Sequence, residues 1–380
     1  MKKIVVLGST GSIGVQVLEL VAEYPGEFKL LGISGNKNTK LLEQQIYQYK
    51  PQYVALADSK EAKRLSRLFK QTTFLDGSDC LEKLVSIAEV EMVCVAVVGV
   101  VALSATVKAI ENKKDVAIAT KEVLVAAGHI IMPLVTKMGT KLYPIDSEHV
   151  AVALCKKGYS ESEIKNLYLT ASGGPFLKTK NLKKVTLAMA LKHPNWVMGR
   201  KISIDSATMI NKGLEVIEAH WLFNKPYENI KVLVHPQSIV HGMVELVNGA
   251  YISQMGCADM KMPILYALSG GNILQYGSGI CSFPNTSLEF FEPDLIKFKG
   301  LEIAYEVGLK GNSWPAVFNA ANEEAVDLFI EGKIEYLDII NIIKKSLEYH
   351  EEIIAPNLSQ VIEITRETRI KIKNEFRKTN

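Results

Sequence analysis

Three carboxylates, two of them two residues apart, form the most reactive pattern in the chain. Asp146-Ser147-Glu148-His149 follows the apolar stretch Lys141–Ile145. On an extended chain, residues two apart project to the same side, so Asp146 and Glu148 are expected to converge. Carboxylates aimed at one place repel each other unless a cation or protons lie between them, and hard oxygen donors suit Mg²⁺ or Mn²⁺. In a helix expected to begin near Ser206, Asn211 and Glu215 fall one turn apart on one face, with Lys212 alongside. Glu215 then offers a third carboxylate, while Ser206, Asn211 and Lys212 offer hydroxyl, amide and ammonium donors to a phosphate or sugar. Each stretch also has an ordinary reading. Asp146 and Glu148 can be a solvated turn, and the later stretch can be a surface helix capped by Asp205 or Ser206.

Two further polar loops fit the same chemistry. Thr170-Ala171-Ser172-Gly173-Gly174-Pro175-Phe176 is a glycine turn after a strand, able to present the Ser172 hydroxyl and backbone N–H groups to an anion, or to be a plain hairpin turn. His193-Pro194-Asn195-Trp196-Val197-Met198-Gly199-Arg200 combines an imidazole, a large aromatic and a glycine, the composition of a lid over a ligand. His235 and His241 read as structural residues near the site.

A second kind of chemistry is written at the start of the chain. Gly8-Ser9-Thr10-Gly11-Ser12-Ile13-Gly14 separates the apolar run Ile4–Leu7 from the helical pattern Val15–Ala22. A glycine turn between a first strand and a first helix lets the backbone approach a pyrophosphate, which the helix N-terminus then binds. The spacing is G-x-x-G-x-x-G, so position in the chain strengthens a motif that is only moderate by itself. Where a carboxylate would hold the adenosine ribose of NAD, at the end of the second strand, this chain has Ser34-Gly35-Asn36-Lys37-Asn38. A cationic, amide-rich turn suits a 2′-phosphate, so NADPH is the expected cofactor.

These residues must be held by several elements. Candidate strands Ile4–Leu7, Leu30–Ser34, Tyr53–Leu56, Met92–Val98, Val116–Ala119 and Lys141–Ile145 alternate with helical patterns, which implies a Rossmann-like parallel sheet domain over residues 1–145. Strands at Asn166–Thr170, Lys231–Val234, Ile239–Leu246 and Ala250–Gln254 predict a central α+β domain over 146–268 that carries most of the polar clusters, with the lid at 193–200. Residues 269–300, rich in Gly, Ser and Pro, read as a connecting segment. Amphipathic patterns such as Val317–Glu331 and Leu337–Tyr349 predict a C-terminal α-helical domain over 301–380. A chain of 380 residues exceeds what a single hydrophobic core usually supports, in line with several domains.

The bulk properties narrow the class. With 48% hydrophobic and 22% charged residues the chain reads as a soluble globular protein, and its net charge of +3 is spread without a basic block, arguing against nucleic-acid and membrane partners. Cysteines at 80, 94, 155, 257 and 281 contain no Cys-x-x-Cys pair and read as reduced thiols of a cytoplasmic protein. Lys2 and Lys3 precede an apolar run too short for a signal peptide, and Met92–Val107 is shorter than the roughly 20 residues that span a bilayer.

The order of these motifs, together with Lys121-Glu122, Lys201 to Glu215, His235-Pro236-Gln237-Ser238 and Phe318-Asn319-Ala320-Ala321-Asn322-Glu323, resembles the deoxyxylulose phosphate reductoisomerase family along practically the whole chain. The resemblance implies that Asp146, Glu148 and Glu215 are metal ligands, and that Lys121, Ser147, Ser172, His193, Trp196, Ser206, Asn211 and Lys212 contact substrate. Of these, Ser172, Ser206, Asn211 and Lys212 would hold its phosphate. NADPH contacts would fall on Gly8, Thr10, Gly11, Ser12, Ile13, Gly35, Asn36, Lys37, Asn38, Thr120, Glu122 and Gly199. Thr120 stands where the family commonly has Asn, and Asn36 replaces a glycine. The implied reaction is a metal-assisted skeletal rearrangement of a small phosphorylated sugar followed by hydride transfer, in a homodimer, with 146–268 as the catalytic and dimerisation domain. Rival classes are a metal-assisted hydrolase or isomerase that keeps a nucleotide domain for architecture, and a non-catalytic redox sensor. A semialdehyde-type dehydrogenase would need a nucleophilic cysteine motif, which is missing from the sequence.

Overall fold

The structure is a computed structural model and describes residues 1–277 and 283–377; residues 278–282 of the expected connecting segment, with Cys281, lie outside the described residues. The chain divides into two compact units. The first comprises Met1–Val123, Ile131–Asp146 and Asp259–Ser278, and the second Leu124–Ile130, Ser147–Ala258 and Gly279–Asn380.

The first unit is built on seven strands: β1 (Lys2–Leu7), β2 (Phe28–Gly35), β3 (Tyr53–Leu56), β4 (Thr73–Asp76), β5 (Met92–Val95), β6 (Asp115–Ile118) and β7 (Leu142–Pro144). All pairings are parallel, in the order β4-β3-β2-β1-β5-β6-β7. Parallel strands covered on both faces need continuous apolar runs. Ile4, Val5, Val6 and Leu7 accordingly have no exposed surface, nor do Met92, Val93, Cys94 and Val95. The strand expected over Met92–Val98 ends at Val95, and Gly99 (φ +76) then leads into a short turn of 3₁₀ helix. Thr73–Asp76 was not among the expected strands; its four residues are half-buried or exposed, as befits an edge. The helix Lys261–Leu268 packs on this sheet, with Ile264, Leu265 and Leu268 in the same core as Ile4, Val6 and Val17. Strand order reverses between β1 and β5, so the ends of these two strands form the switch point at which α/β sheets bind ligands.

The second unit holds β8 (Ile164–Ala171), β9 (Ile230–Val234), β10 (Val240–Leu246) and β11 (Tyr251–Met255) in the mixed order β11-β10-β8-β9. Only β8 and β9 are parallel. The helices Ser147–Cys155 and Ile210–Phe223 pack against it. C-terminal helices Lys299–Lys310, Trp314–Ile330, Asp338–Glu348 and Leu358–Arg377 share its core, where Leu301, Phe318 and Val326 meet Ile204, Leu214 and Ile217. The fold is thus a Rossmann-like parallel-sheet unit followed by an α+β unit whose C-terminal region is helical. Among the described residues no helix is long and apolar enough to cross a membrane.

Candidate active site

The first glycine turn lies at the switch point of the parallel sheet. Gly8 has φ +86, and a Cβ there would stand 2.6 Å from the Ala96 carbonyl oxygen just beyond β5. Gly14 is tighter still, since its Cβ would meet the Gly8 oxygen at 2.2 Å and the Ser9 Cα at 2.6 Å. Gly11 has room, with its nearest neighbour at 3.4 Å, and it starts the helix Ser12–Glu23 with no side-chain cap. The turn is braced from behind: Gly8 N–H donates to Ser34 Oγ (2.9 Å), Ser9 Oγ to Gln45 Oε1 (2.7 Å) and Gln45 Nε2 to the Ser9 carbonyl (2.8 Å). The result is a fixed helix start whose N-cap residue, Gly11, has no side chain to offer the first-turn N–H groups, a ready place for an anion.

Asn36, Lys37 and Asn38 are exposed after β2, and Asn38 Oδ1 caps the helix Thr39–Tyr49 by accepting from Leu41 N–H (3.2 Å). Thr120 turns inward, its hydroxyl donating to the Val97 carbonyl (2.5 Å), so it ties the ends of β5 and β6 together. Buried Lys121 pairs with Asp146.

In the second unit the acidic motif departs from the extended geometry expected of it. The chain becomes helical at Ser147, so Glu148 stands in a first helical turn. A side-chain bond joins Ser147 Oγ to Glu148 Oε2 at 2.5 Å. The later cluster departs too. One helix, Arg200–Ala207, ends with Ser206 in its last turn, and the next, Ile210–Phe223, starts after Met209 in the left-handed region (φ +60). Asp205 and Ser206 therefore cap nothing; Asp205 is buried at the C-terminal end of its helix. Asn211 and Glu215 do share a helix face, where the Asn211 amide donates to the Glu215 carboxylate.

Lys212 Nζ lies between two acids, 2.7 Å from Glu148 Oε1 and bonded to Glu215. Carboxylate oxygens of Glu148 and Glu215 come within 4.8 Å of each other. Burial lowers the Lys212 pKa, but the two carboxylates outweigh it and hold the group above its usual range, so it stays charged. Glu148 and Glu215 thus bring carboxylate oxygens together, and an all-oxygen donor set of this kind fits a hard divalent cation. Behind it, fully buried His149 sets Nε2 3.0 Å from the Glu215 carbonyl and Nδ1 3.6 Å from Glu218 Oε2. This His149–Glu218 pair was not anticipated, because nothing in its spacing sets it apart from a core helix.

Ser172 and His193 meet at 2.9 Å. His193 Nδ1 accepts the backbone N–H groups of Trp196 (3.0 Å) and Asn195 (3.2 Å), which leaves the neutral ring its proton on Nε2 to donate to Ser172 Oγ. Ser172 Oγ also accepts from Gly174 N–H (3.1 Å), so its own hydroxyl proton is available to a ligand. Burial lowers the His193 pKa to about 4, with Glu148 opposing. Of the expected lid, 193–200, residues 193–199 form a loop and Arg200 already begins a helix. The loop is tied by Asn195 Nδ2 to the Pro236 carbonyl and Ser238 Oγ, both at 2.7 Å; Trp196 meets the His241 ring edge-on at 6.0 Å, and Val197 is fully exposed. Gly199 starts the helix Arg200–Ala207. His235 serves structure, stacking on Phe290 and bonding to the Glu289 carbonyl (2.8 Å). Burial raises the pKa of the Cys155 thiol to about 11 and that of Cys94 to about 12, so neither is a ready nucleophile.

A parallel sheet with a glycine-built helix start at its switch point defines a dinucleotide-binding α/β protein, here joined to a unit with an oxygen-donor cluster. Family models described as 1-deoxy-D-xylulose 5-phosphate reductoisomerase match residues 4–128, its C-terminal domain residues 142–223, and the DXP reductoisomerase C-terminal domain residues 255–371. The 1-deoxy-D-xylulose 5-phosphate reductoisomerase of Caldanaerobacter subterraneus subsp. tengcongensis is 46% identical over 99% of this chain and 100% of its own length. That of Trichlorobacter lovleyi is 47% identical over 96% of this chain and 95% of its own. The Zymomonas mobilis enzyme solved in complex with NADPH superposes with a TM-score of 0.91 at 35% identity, covering 99% of each chain. A DOX-P reductoisomerase solved with NADPH, fosmidomycin and magnesium gives 0.93 at 33%, covering 99% of this chain and 98% of that one. The chain belongs to the 1-deoxy-D-xylulose 5-phosphate reductoisomerase family.

Proposed function

We propose that the chain converts 1-deoxy-D-xylulose 5-phosphate to 2-C-methyl-D-erythritol 4-phosphate with oxidation of NADPH, in the non-mevalonate route to isoprenoid precursors. The observation that carries this reading is the Glu148–Lys212–Glu215 cluster, with Lys212 and Glu215 buried, in a chain whose first unit offers an open helix start to a dinucleotide. Asp146, two residues before Glu148, joins Glu148 and Glu215 as the ligands of one Mg²⁺ or Mn²⁺. When bound, the cation supplies Lewis acidity to vicinal carbonyl and hydroxyl oxygens, and NADPH supplies the hydride.

The chain's own groups do the rest. Ser147 and the Lys121 ammonium orient the sugar and stabilise alkoxide charge. The Ser172 hydroxyl, Ser206, Asn211 and the Lys212 N–H not used on the two acids bind phosphate, so that remote binding energy fixes the reacting carbons. His193 holds Ser172 in its donor role, and Trp196 covers the sugar and excludes water. Gly8, Thr10, Gly11, Ser12 and Ile13 cradle the pyrophosphate, while the Gly35, Asn36, Lys37 and Asn38 turn takes the 2′-phosphate. Thr120, Glu122 and Gly199 complete the nicotinamide side. The working form is a cytoplasmic homodimer.

The test is NADPH absorbance on adding 1-deoxy-D-xylulose 5-phosphate. Oxidation should stop on chelation and return with Mg²⁺. Substrate consumption without NADPH oxidation would indicate a metal-dependent isomerase or hydrolase, and NADPH binding without turnover a sensor.

A further inference from the structure

Ser206 is held at the residues on both sides of it by groups far along the chain. Before it, Asp205 is 1% exposed and accepts two bonds, from Asn322 Nδ2 on Oδ1 (2.8 Å) and from Lys201 Nζ on Oδ2 (2.9 Å). After it, the Tyr336 hydroxyl donates to the Ala207 carbonyl at 2.6 Å, satisfying one of the carbonyls a helix end leaves without an intrahelical partner. On a third side, Gly174 (φ +66) packs so closely that a Cβ there would stand 2.7 Å from the Ser206 oxygen. The Ser172 turn and the Ser206 helix end are therefore in direct backbone contact, and a small rotation of either would move one hydroxyl relative to the other.

Asn322 lies in the buried helix Trp314–Ile330 and has no exposed surface. Its Nδ2 is used on Asp205, yet its Oδ1 is buried and meets no hydrogen-bond partner among the described residues. A buried carbonyl left unsatisfied costs stability, so at this position an apolar residue of similar size would serve packing better than an amide. What the amide gains is its one directed contact, to the residue preceding Ser206. Tyr336 is 4% exposed and stands edge-on to Phe176, at the end of the Ser172 turn, with centroids 5.3 Å apart.

We propose that Asn322 and Tyr336 are positioning residues of the phosphate site, clamping Asp205 and Ala207 so that the Ser206 hydroxyl is held in register with Ser172. This inference rests on the reading of Ser206 as a phosphate contact. The C-terminal helices thereby contribute to substrate affinity without touching the substrate.

The experiment compares Tyr336→Phe, Asn322→Ala, Ser206→Ala and each of the first two combined with Ser206→Ala in the full chain. Readouts are KM for 1-deoxy-D-xylulose 5-phosphate, kcat, inhibition by inorganic phosphate, NADPH affinity and melting temperature. Tyr336→Phe keeps the ring packing and removes one oxygen, so it guards against a poorly folded Asn322→Ala. Each single clamp variant should raise KM roughly 3- to 10-fold, the scale of one net hydrogen bond, and weaken phosphate inhibition in parallel. NADPH affinity should hold, kcat should stay within about twofold of the parent, and neither variant should add to the loss in the Ser206→Ala background. Clamp effects that multiply with Ser206→Ala, or that lower kcat and NADPH affinity together, would overturn the proposal, as would silent clamp variants beside a Ser206→Ala that raises KM. An unchanged KM in Ser206→Ala would instead remove the phosphate reading of Ser206, and the clamp with it.

Discussion

Two glycines of the nucleotide turn, three residues apart, should respond in opposite ways to the same added methyl group. At Gly14 a Cβ would lie 2.2 Å from the Gly8 oxygen and 2.8 Å from the Ser9 carbonyl carbon. Those are backbone atoms at the tip of β1, already held by Ser34 and Gln45, and cannot swing aside as a side chain can. Gly14→Ala must therefore push the helix Ser12–Glu23 off the strand end, an overpacking cost of about 1–3 kcal/mol or more. At Gly11 the nearest atom is 3.4 Å away and φ is −79, which alanine adopts freely. There the preference of a helix start for glycine over alanine, about 1 kcal/mol, is roughly offset by the lower entropy of the unfolded alanine chain. Gly11→Ala should leave the melting temperature nearly unchanged but place a methyl group where the pyrophosphate approaches, weakening NADPH binding by tenfold or more. Thermal unfolding and NADPH fluorescence titration separate the two. Normal NADPH affinity in Gly11→Ala would refute the placement of the anion, and an unshifted melting temperature in Gly14→Ala would refute the steric argument.

Glu215→Gln keeps shape but removes one charge from the cluster around Lys212, and turnover should fall by about 10²-fold or more with folding intact; near-normal rates in saturating Mg²⁺ would count against the ligand role. Trp196→Ala should weaken substrate capture and leave NADPH binding alone, whereas equal losses in both titrations would mark the tryptophan as structural. His193 is neutral when buried and has a folded pKa near 4, below the ordinary value of 6.5. The unfolded chain binds more protons between those values, so this contribution to stability is full above about pH 6.5 and is lost as pH falls toward 4. Protonation at Nδ1 would also displace the N–H groups of Asn195 and Trp196. The His193 ring-proton resonances followed from pH 8 to 3 should titrate well below 6.5, and a value near 6.5 for His193 would exclude this account.

What was legible in the chain was what short-range physics fixes. The glycine turn at 8–14 follows from backbone sterics between a strand and a helix, and the shared face of Asn211 and Glu215 from the helical period. The cationic turn at Lys37 follows from simple charge. Tertiary structure decided the rest. It made Glu148 helical rather than extended, turned Ser206 from an expected helix start into a helix end, and returned Lys261–Leu268 to the first sheet. It also set Lys212 against Glu148, 64 residues away, and Asn322 against Asp205, 117 residues away. Such pairings depend on which polar groups lose water together when the core closes, and desolvation is a property of the packed chain that no local window of residues carries.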